Sequence, residues 1–259
     1  MQTFNQLRTL TGRIIRQNLT NADTIITVIA MPVFMLLFFV YVMGGNIATT
    51  GAGGAQAYLR YALPGFLLLT MAMGSAYTSM RINLDRTSGF LDRLHSLPIA
   101  RWVILGSHVL ASVTFMLMAE ALVFLVGVLI GYRADVTLSS ALLFVGLSVL
   151  FGLGITLLAI PFSLKADNYA SAGGFSYVLL MLLFVSSALM PTTGMAKPVQ
   201  MFADHQPMTP IVNTARGLLN QAVAVSQHTE WLAVGWLVGA IVVCGFLSYR
   251  VYVRMFLTR

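Results

Sequence analysis

Side chains able to do chemistry are sparse in this sequence of 259 residues, and their spacing excludes most enzymatic constellations. Glu120 is the one acid well inside an apolar run. A carboxylate is costly in lipid, so it must face a cavity, bond a neighbouring helix or carry a proton. Counted from Trp102, it lies roughly 27 Å along a helix rising about 1.5 Å per residue, in the outer half of a hydrocarbon core of about 30 Å. Two readings stay open for it. One is a residue of a substrate cavity or gate. The other is a structural hydrogen bond to another helix, or an outer-interface position reached by tilt. His95, His108, His205 and His228 lack ligand spacing, and His108 reads as a side chain snorkelling to the interface. Cys244 is the single cysteine; it can form no intrachain disulfide and reads as a buried thiol. The chain has no G-x-x-x-x-G-K-S/T stretch, and Lys165 and Lys197 sit in unsuitable contexts for one. No catalytic residue and no metal site is expected.

The densest charge lies in Asp85–Arg101, DRTSGFLDRLHSLPIAR, between two long apolar runs. At helical spacing Phe90, Leu91, Leu94 and Leu97 share an apolar side, while Asp92, Arg93 and Ser96 lean the other way. Gly89 relaxes the helix start and Pro98 stops it. The pattern predicts a short amphipathic helix at a membrane face, presenting a polar surface to a soluble partner.

The elements that hold these residues follow from composition. The chain is 58% hydrophobic and 9% charged, against about 25% charged in soluble domains. Lipid is its expected solvent. The net charge of +7 is no nucleic-acid signal, because the arginines are spread between apolar runs. Six spans are predicted near 24–43, 61–80, 102–130, 138–162, 169–189 and 231–252. An amphipathic helix over 1–23 precedes them, with Phe4, Leu7, Leu10, Ile14 and Leu19 on its apolar side and Asn21 or Asp23 capping the next helix. Pro32 permits a kink in the first span, and Pro64 suits the first turn of the second. Residues 44–60 read as a flexible outer loop. Residues 190–230 hold four prolines and read as short outer helices, one of them over Val212–Val225. Gly146, Gly152 and Gly154, and the pairs Gly127/Gly131 and Gly235/Gly239, could admit close helix contact. With the N-terminus inside, eleven basic residues fall on inner segments and four (Arg60, Arg133, Lys197, Arg216) on outer ones, together the fifteen of the chain. That excess places both termini in the cytoplasm.

Gly89, Phe90, Leu91, Arg93, Leu94, Leu97, Pro98 and Ile99 resemble the G-x-L-x-R-L…L-P-I/V signature that follows the second span in ABC transporter permeases of the type-2 exporter class. Gln206, Pro207, Met208 and Thr209, followed by Arg216, resemble that family's N/Q-P-x-T feature before the last span. With the six-span layout, the likeness extends to nearly the whole chain and is nearest to membrane subunits of the daunorubicin-resistance kind. The resemblance implies an all-α polytopic permease domain over 1–259 in a bacterial inner membrane. It implies a helix around Gly89–Pro98 that couples to a separate ABC ATPase carrying ATP and Mg²⁺, with no cofactor on this chain. It also implies a second permease subunit, most simply an identical one, and export of a hydrophobic drug, an antibiotic or a lipid-like molecule. Polysaccharide or lipid export would share much of the layout. An ion- or proton-coupled carrier would need a set of intramembrane ionisable residues, and Glu120 alone is a poor set. A membrane scaffold would explain the spans but not the motif.

Overall fold

The computed structural model describes residues 2–44 and 54–256. Regular structure among them is helical, apart from one isolated bridge between Asp135 and Asn220. The first helix, α1 (Gln2–Thr20), packs on α6. Its inward stripe is Leu7, Leu10, Thr11, Ile14 and Asn18, while Phe4 and Leu19 are exposed. The expected apolar side is thus corrected: the stripe meets protein, which accepts polar members at Thr11 and Asn18.

Asn21 begins the next helix as its N-cap, its side chain accepting from the Thr24 N–H at 3.2 Å. Helix α2 (Ala22–Ile25) and α3 (Met31–Phe38) form one rod, joined by a π-helical turn at Ile26–Ala30 and followed by another at Phe39–Met43. Its buried positions are Thr24, Val28, Pro32, Leu36 and Val40, every fourth residue. At 3.6 residues per turn such a stripe would rotate by about 40° at each step. The wider π turns cancel that drift. Pro32 follows the first wide turn, where the Met31 N–H already reaches the Ile26 carbonyl, and the helix runs on past the proline.

Helix α4 (Gly54–Thr87) is the central post. Every residue from Ala62 to Ala72 is buried, packed by α6, α7, α9 and α11. Its small and hydroxyl residues suit a helix surrounded by protein. A Cβ on Gly65 would collide with the Ala188 carbonyl, so only glycine lets that turn approach. Two expectations are corrected here. Residues 54–60, expected as outer loop, are helical, and Pro64 therefore lies inside the helix rather than in its first turn. The remainder of that expected loop, residues 45–53, lies outside the described residues.

A short α5 (Phe90–His95) leads to α6 (Arg101–Leu129) and α7 (Leu138–Lys165). Thr137 closes a capping box with Ser140 at the start of α7. Of the glycines expected at helix contacts, Gly152 abuts Met71 and Gly127 abuts Leu63, at 3.0 and 2.8 Å from an added Cβ. Gly154 has ordinary contacts with Ala240 and Ile241, whereas Gly146, Gly235 and Gly239 meet nothing within 4 Å. Gly131, at φ +109°, marks the end of α6 rather than a packing surface. The expected span 169–189 is broken by Gly173–Gly174 into α8 (Tyr169–Ala172) and α9 (Phe175–Phe184). Then come α10 (Lys197–His205), α11 (Met208–Leu219) and α12 (Gln227–Phe256). The outer helix expected at Val212–Val225 thus starts and ends earlier.

Among the described residues four helical stretches are long and apolar enough to cross a membrane: Ala22–Val42, Arg101–Leu129, Leu138–Lys165 and Gln227–Met255. The protein is a multi-pass, all-α membrane protein. Tyr169–Phe184 is a shorter apolar stretch, and α4 is long but buried.

Candidate functional site

The residues of the Gly89–Pro98 motif converge where the basic ends of several helices meet. Gly89 stands at φ +70°, a left-handed turn that reverses the chain between α4 and α5 and that a side chain would strain. Leu91 and Leu94 are 3% and 7% exposed. They join Ile82 of α4, Ile104 of α6, Ile160 and Leu164 of α7, and Tyr252 of α12 in one apolar cluster, with Leu10 of α1 against it. Phe90 is half-buried, and its ring carries the Arg13 guanidinium 3.8 Å from its centroid. Asp92, Arg93, Ser96, Leu97 and Pro98 face outward. Leu97 departs from its expected apolar side. The helix ends at His95, so the chain has left helical register by residue 97 and its side chain is 51% exposed.

Polar locks surround this cluster. Arg13 of α1 donates twice to Asp85 of α4, at 2.9 and 3.2 Å, and His108 Nε2 of α6 lies 3.5 Å from the same carboxylate. Asp85 thus ties three helices together. Asn83 donates to the carbonyls of Ser163 and Ala166, at 3.0 and 2.8 Å, and Arg86 to those of Leu164 and Ala166. These are end carbonyls of α7 that lack helical partners, and a cation there also complements the helix dipole. His95 Nδ1 sits 2.6 Å from the Leu91 carbonyl and so carries the proton, which leaves Nε2 to accept from Tyr252 Oη at 2.7 Å. The locks link positions as far apart as 13 and 85 or 95 and 252. Composition hinted at them only as charges beside apolar runs.

Glu120 stands apart from this junction. It is 5% exposed and accepts from Ser148 Oγ of α7 at 2.9 Å. The bond joins α6 to α7 within their apolar lengths.

At the opposite end the Gln206–Thr209 feature is a folding device. Gln206 donates to the Leu182 and Val185 carbonyls at the end of α9, at 2.7 and 3.2 Å, and Thr209 donates to the Ala203 carbonyl of α10. Arg216 is 5% exposed with no carboxylate in ion-pair range among the described residues. Its cation is spread over the carbonyls of Tyr61 (2.9 Å) and Ser187 (2.6 Å), the Asn213 side chain (2.6 Å) and the Tyr61 ring (3.9 Å). The Tyr61 carbonyl lies in the helical turn just before Pro64, and the Arg216 guanidinium adds a charged donor to it there.

Residues 5–220 match the family model described as ABC-2 type transporter. A daunorubicin resistance ABC transporter permease protein from Streptomyces coeruleorubidus is 26% identical over 229 residues, spanning 88% of this chain and 79% of that protein. A protein of Mycobacterium tuberculosis (strain ATCC 25618 / H37Rv), named "Probable doxorubicin resistance ABC transporter permease protein", is 25% identical over 243 residues, spanning 93% of this chain and 86% of its own length.

Proposed function

The chain belongs to the ABC-2 type transporter family as a permease subunit of an ABC exporter, and we propose that its ATPase partner grips it at the outward face of α5. In this reading six segments cross the membrane: the α2–α3 rod, α4, α6, α7, the α8–α9 segment and α12. Both termini and α5 lie in the cytoplasm, as the excess of basic residues on that side favours. The membrane is a bacterial inner membrane, and residues 1–259 form one permease domain with α1 lying along the interface. Two copies pair, each served by an ATPase that binds ATP and Mg²⁺. The cargo is a hydrophobic drug, as the daunorubicin and doxorubicin resistance in the relatives' names suggests. Glu120 is assigned to holding α6 on α7 through Ser148 rather than to gating.

One observation carries the coupling role. The inner side of α5 joins α1, α4, α6, α7 and α12 in one cluster, while Arg93, Leu97 and Pro98 point away from it. Close-packed interiors transmit displacement instead of absorbing it. A push on α5 therefore reaches five helices as a rigid-body movement. Gly89 sets the angle of α5, Phe90 seats it on Arg13, Leu91 and Leu94 anchor it, and Arg93, Leu97 and Pro98 meet the partner. The test is co-purification of the permease with its ATPase, comparing wild type with Arg93→Glu/Leu97→Asp. Both changed side chains are exposed, so the permease should still fold in detergent. Loss of the complex is expected. A complex of undiminished yield would remove the docking role from α5 and direct attention to α1.

A further inference from the structure

A cleft of about 750 Å³ opens between α6, α7 and α12 at the basic end of the molecule. Its walls are aliphatic: Leu105 and Val109 of α6 and Val149 and Leu153 of α7 are among them. Along α6 it runs from Arg101 to Val113, roughly 18 Å at about 1.5 Å per residue. That is close to one leaflet of a hydrocarbon core of about 30 Å. The mouth differs from the walls. Arg101, Trp102 and Tyr249 line it and are all exposed, the two aromatics at 62% and 64%. Tryptophan and tyrosine prefer the headgroup level of a bilayer. Among the described residues no carboxylate lies within ion-pair range of Arg101, and none lines the cleft. Tyr252, buried and bonded to His95, also lines the cleft.

An apolar slot one leaflet deep, open at its side, aromatic at its rim and cationic at its lip has the chemistry of a phospholipid with a negative headgroup. We propose that this cleft seats one acyl chain of an anionic phospholipid from the leaflet at the basic end, with its phosphate on Arg101. The lip charge selects against a cationic occupant, and the depth suits a chain better than a compact ring system.

The test uses the full-length chain with Trp231→Phe and Trp236→Phe, so that Trp102 is the only tryptophan left of three. The protein is placed in phosphatidylcholine vesicles doped with chain-brominated phosphatidylglycerol or chain-brominated phosphatidylcholine. Trp102 fluorescence should be quenched half-maximally at about fivefold lower mole fraction of the anionic lipid, the effect expected of one basic residue. Arg101→Gln, and separately Val149→Phe/Leu153→Phe to fill the slot, should bring the two curves together. Coincident curves in the protein with Arg101 and an open slot would overturn the proposal, and need no change inside the cleft. A preference that survives either the charge removal or the filling would overturn it as well. Absence of quenching by both lipids would assign the cleft to contact between two copies of the chain.

Discussion

Asp85 is a carboxylate held between two helices that compete for it, and its loss should be felt in both. Asp85→Asn removes the charge that binds Arg13 and faces His108. Breaking one side of a buried pair costs about 3–5 kcal/mol; Arg13 is 30% exposed, so about 2–3 kcal/mol is expected here. A thermal melt in detergent would check it, with Arg13→Gln showing a loss at least as large, since that change leaves the more buried Asp85 carboxylate without its cation. Arg216→Met is expected to be the more damaging change at the opposite end, because it leaves the Tyr61 and Ser187 carbonyls without their cationic donor. The cost should be about 2–4 kcal/mol, read by the same melt, with Lys substituting poorly since it lacks the planar fork. Glu120 was visible in the sequence as an acid in an apolar run, and a structural hydrogen bond was one of the two readings open to it. Its partner Ser148 was not visible, since serine is common in apolar helices and nothing local marks the one that faces an acid. The same holds for Arg13 and Asp85, whose pairing is set by packing across 72 positions.

At the scale of elements, long apolar runs declared α6, α7 and α12 within a few residues of their ends. The start of α4 was hidden. Its first turns are polar and small, and Pro64 reads as a helix start when the chain before it is taken for loop. The break at Gly173–Gly174 was masked by apolar residues on both sides. Gly146 and Gly65 both sit in apolar helices, yet only one is needed as glycine. Gly65→Val should abolish folding or cost about 3 kcal/mol, at the upper end for overpacking, because backbone cannot give way to the new side chain. Gly146→Ala meets nothing and should stay within about 0.5 kcal/mol. Detergent melts of the two variants side by side make the comparison. For α5, the motif found the element and the anchors Leu91 and Leu94, but it could not show that the helix stops at His95 and turns Leu97 outward. Gly89→Val should strain the left-handed turn and weaken ATP-driven export more than it lowers the melting temperature, since the angle of α5 changes while its anchors remain.

Over the whole molecule, one end is tied by ionic and apolar contacts around α5, and the other by Arg216, Gln206 and Tyr132, whose hydroxyl donates to the Leu219 carbonyl at 3.1 Å. Helices α4, α6 and α7 connect the two ends through a close-packed interior. Movement imposed at α5 therefore has a rigid path to the far side, which is what an exporter driven from one face requires. In the function proposed above, the ATPase meets the permease at the outward face of α5. This contact is tested most directly by cross-linking in membranes, in a background where Cys244, the one native cysteine, is replaced by Ala. Cysteines introduced at Arg93, at Leu97 and, as a control, at the exposed Ala222 near the opposite end would each be treated with a short bifunctional maleimide. An adduct of permease and ATPase is expected from positions 93 and 97 and none from 222. An adduct from 222 alone, or from none of the three while the complex is intact, would contradict the proposed contact.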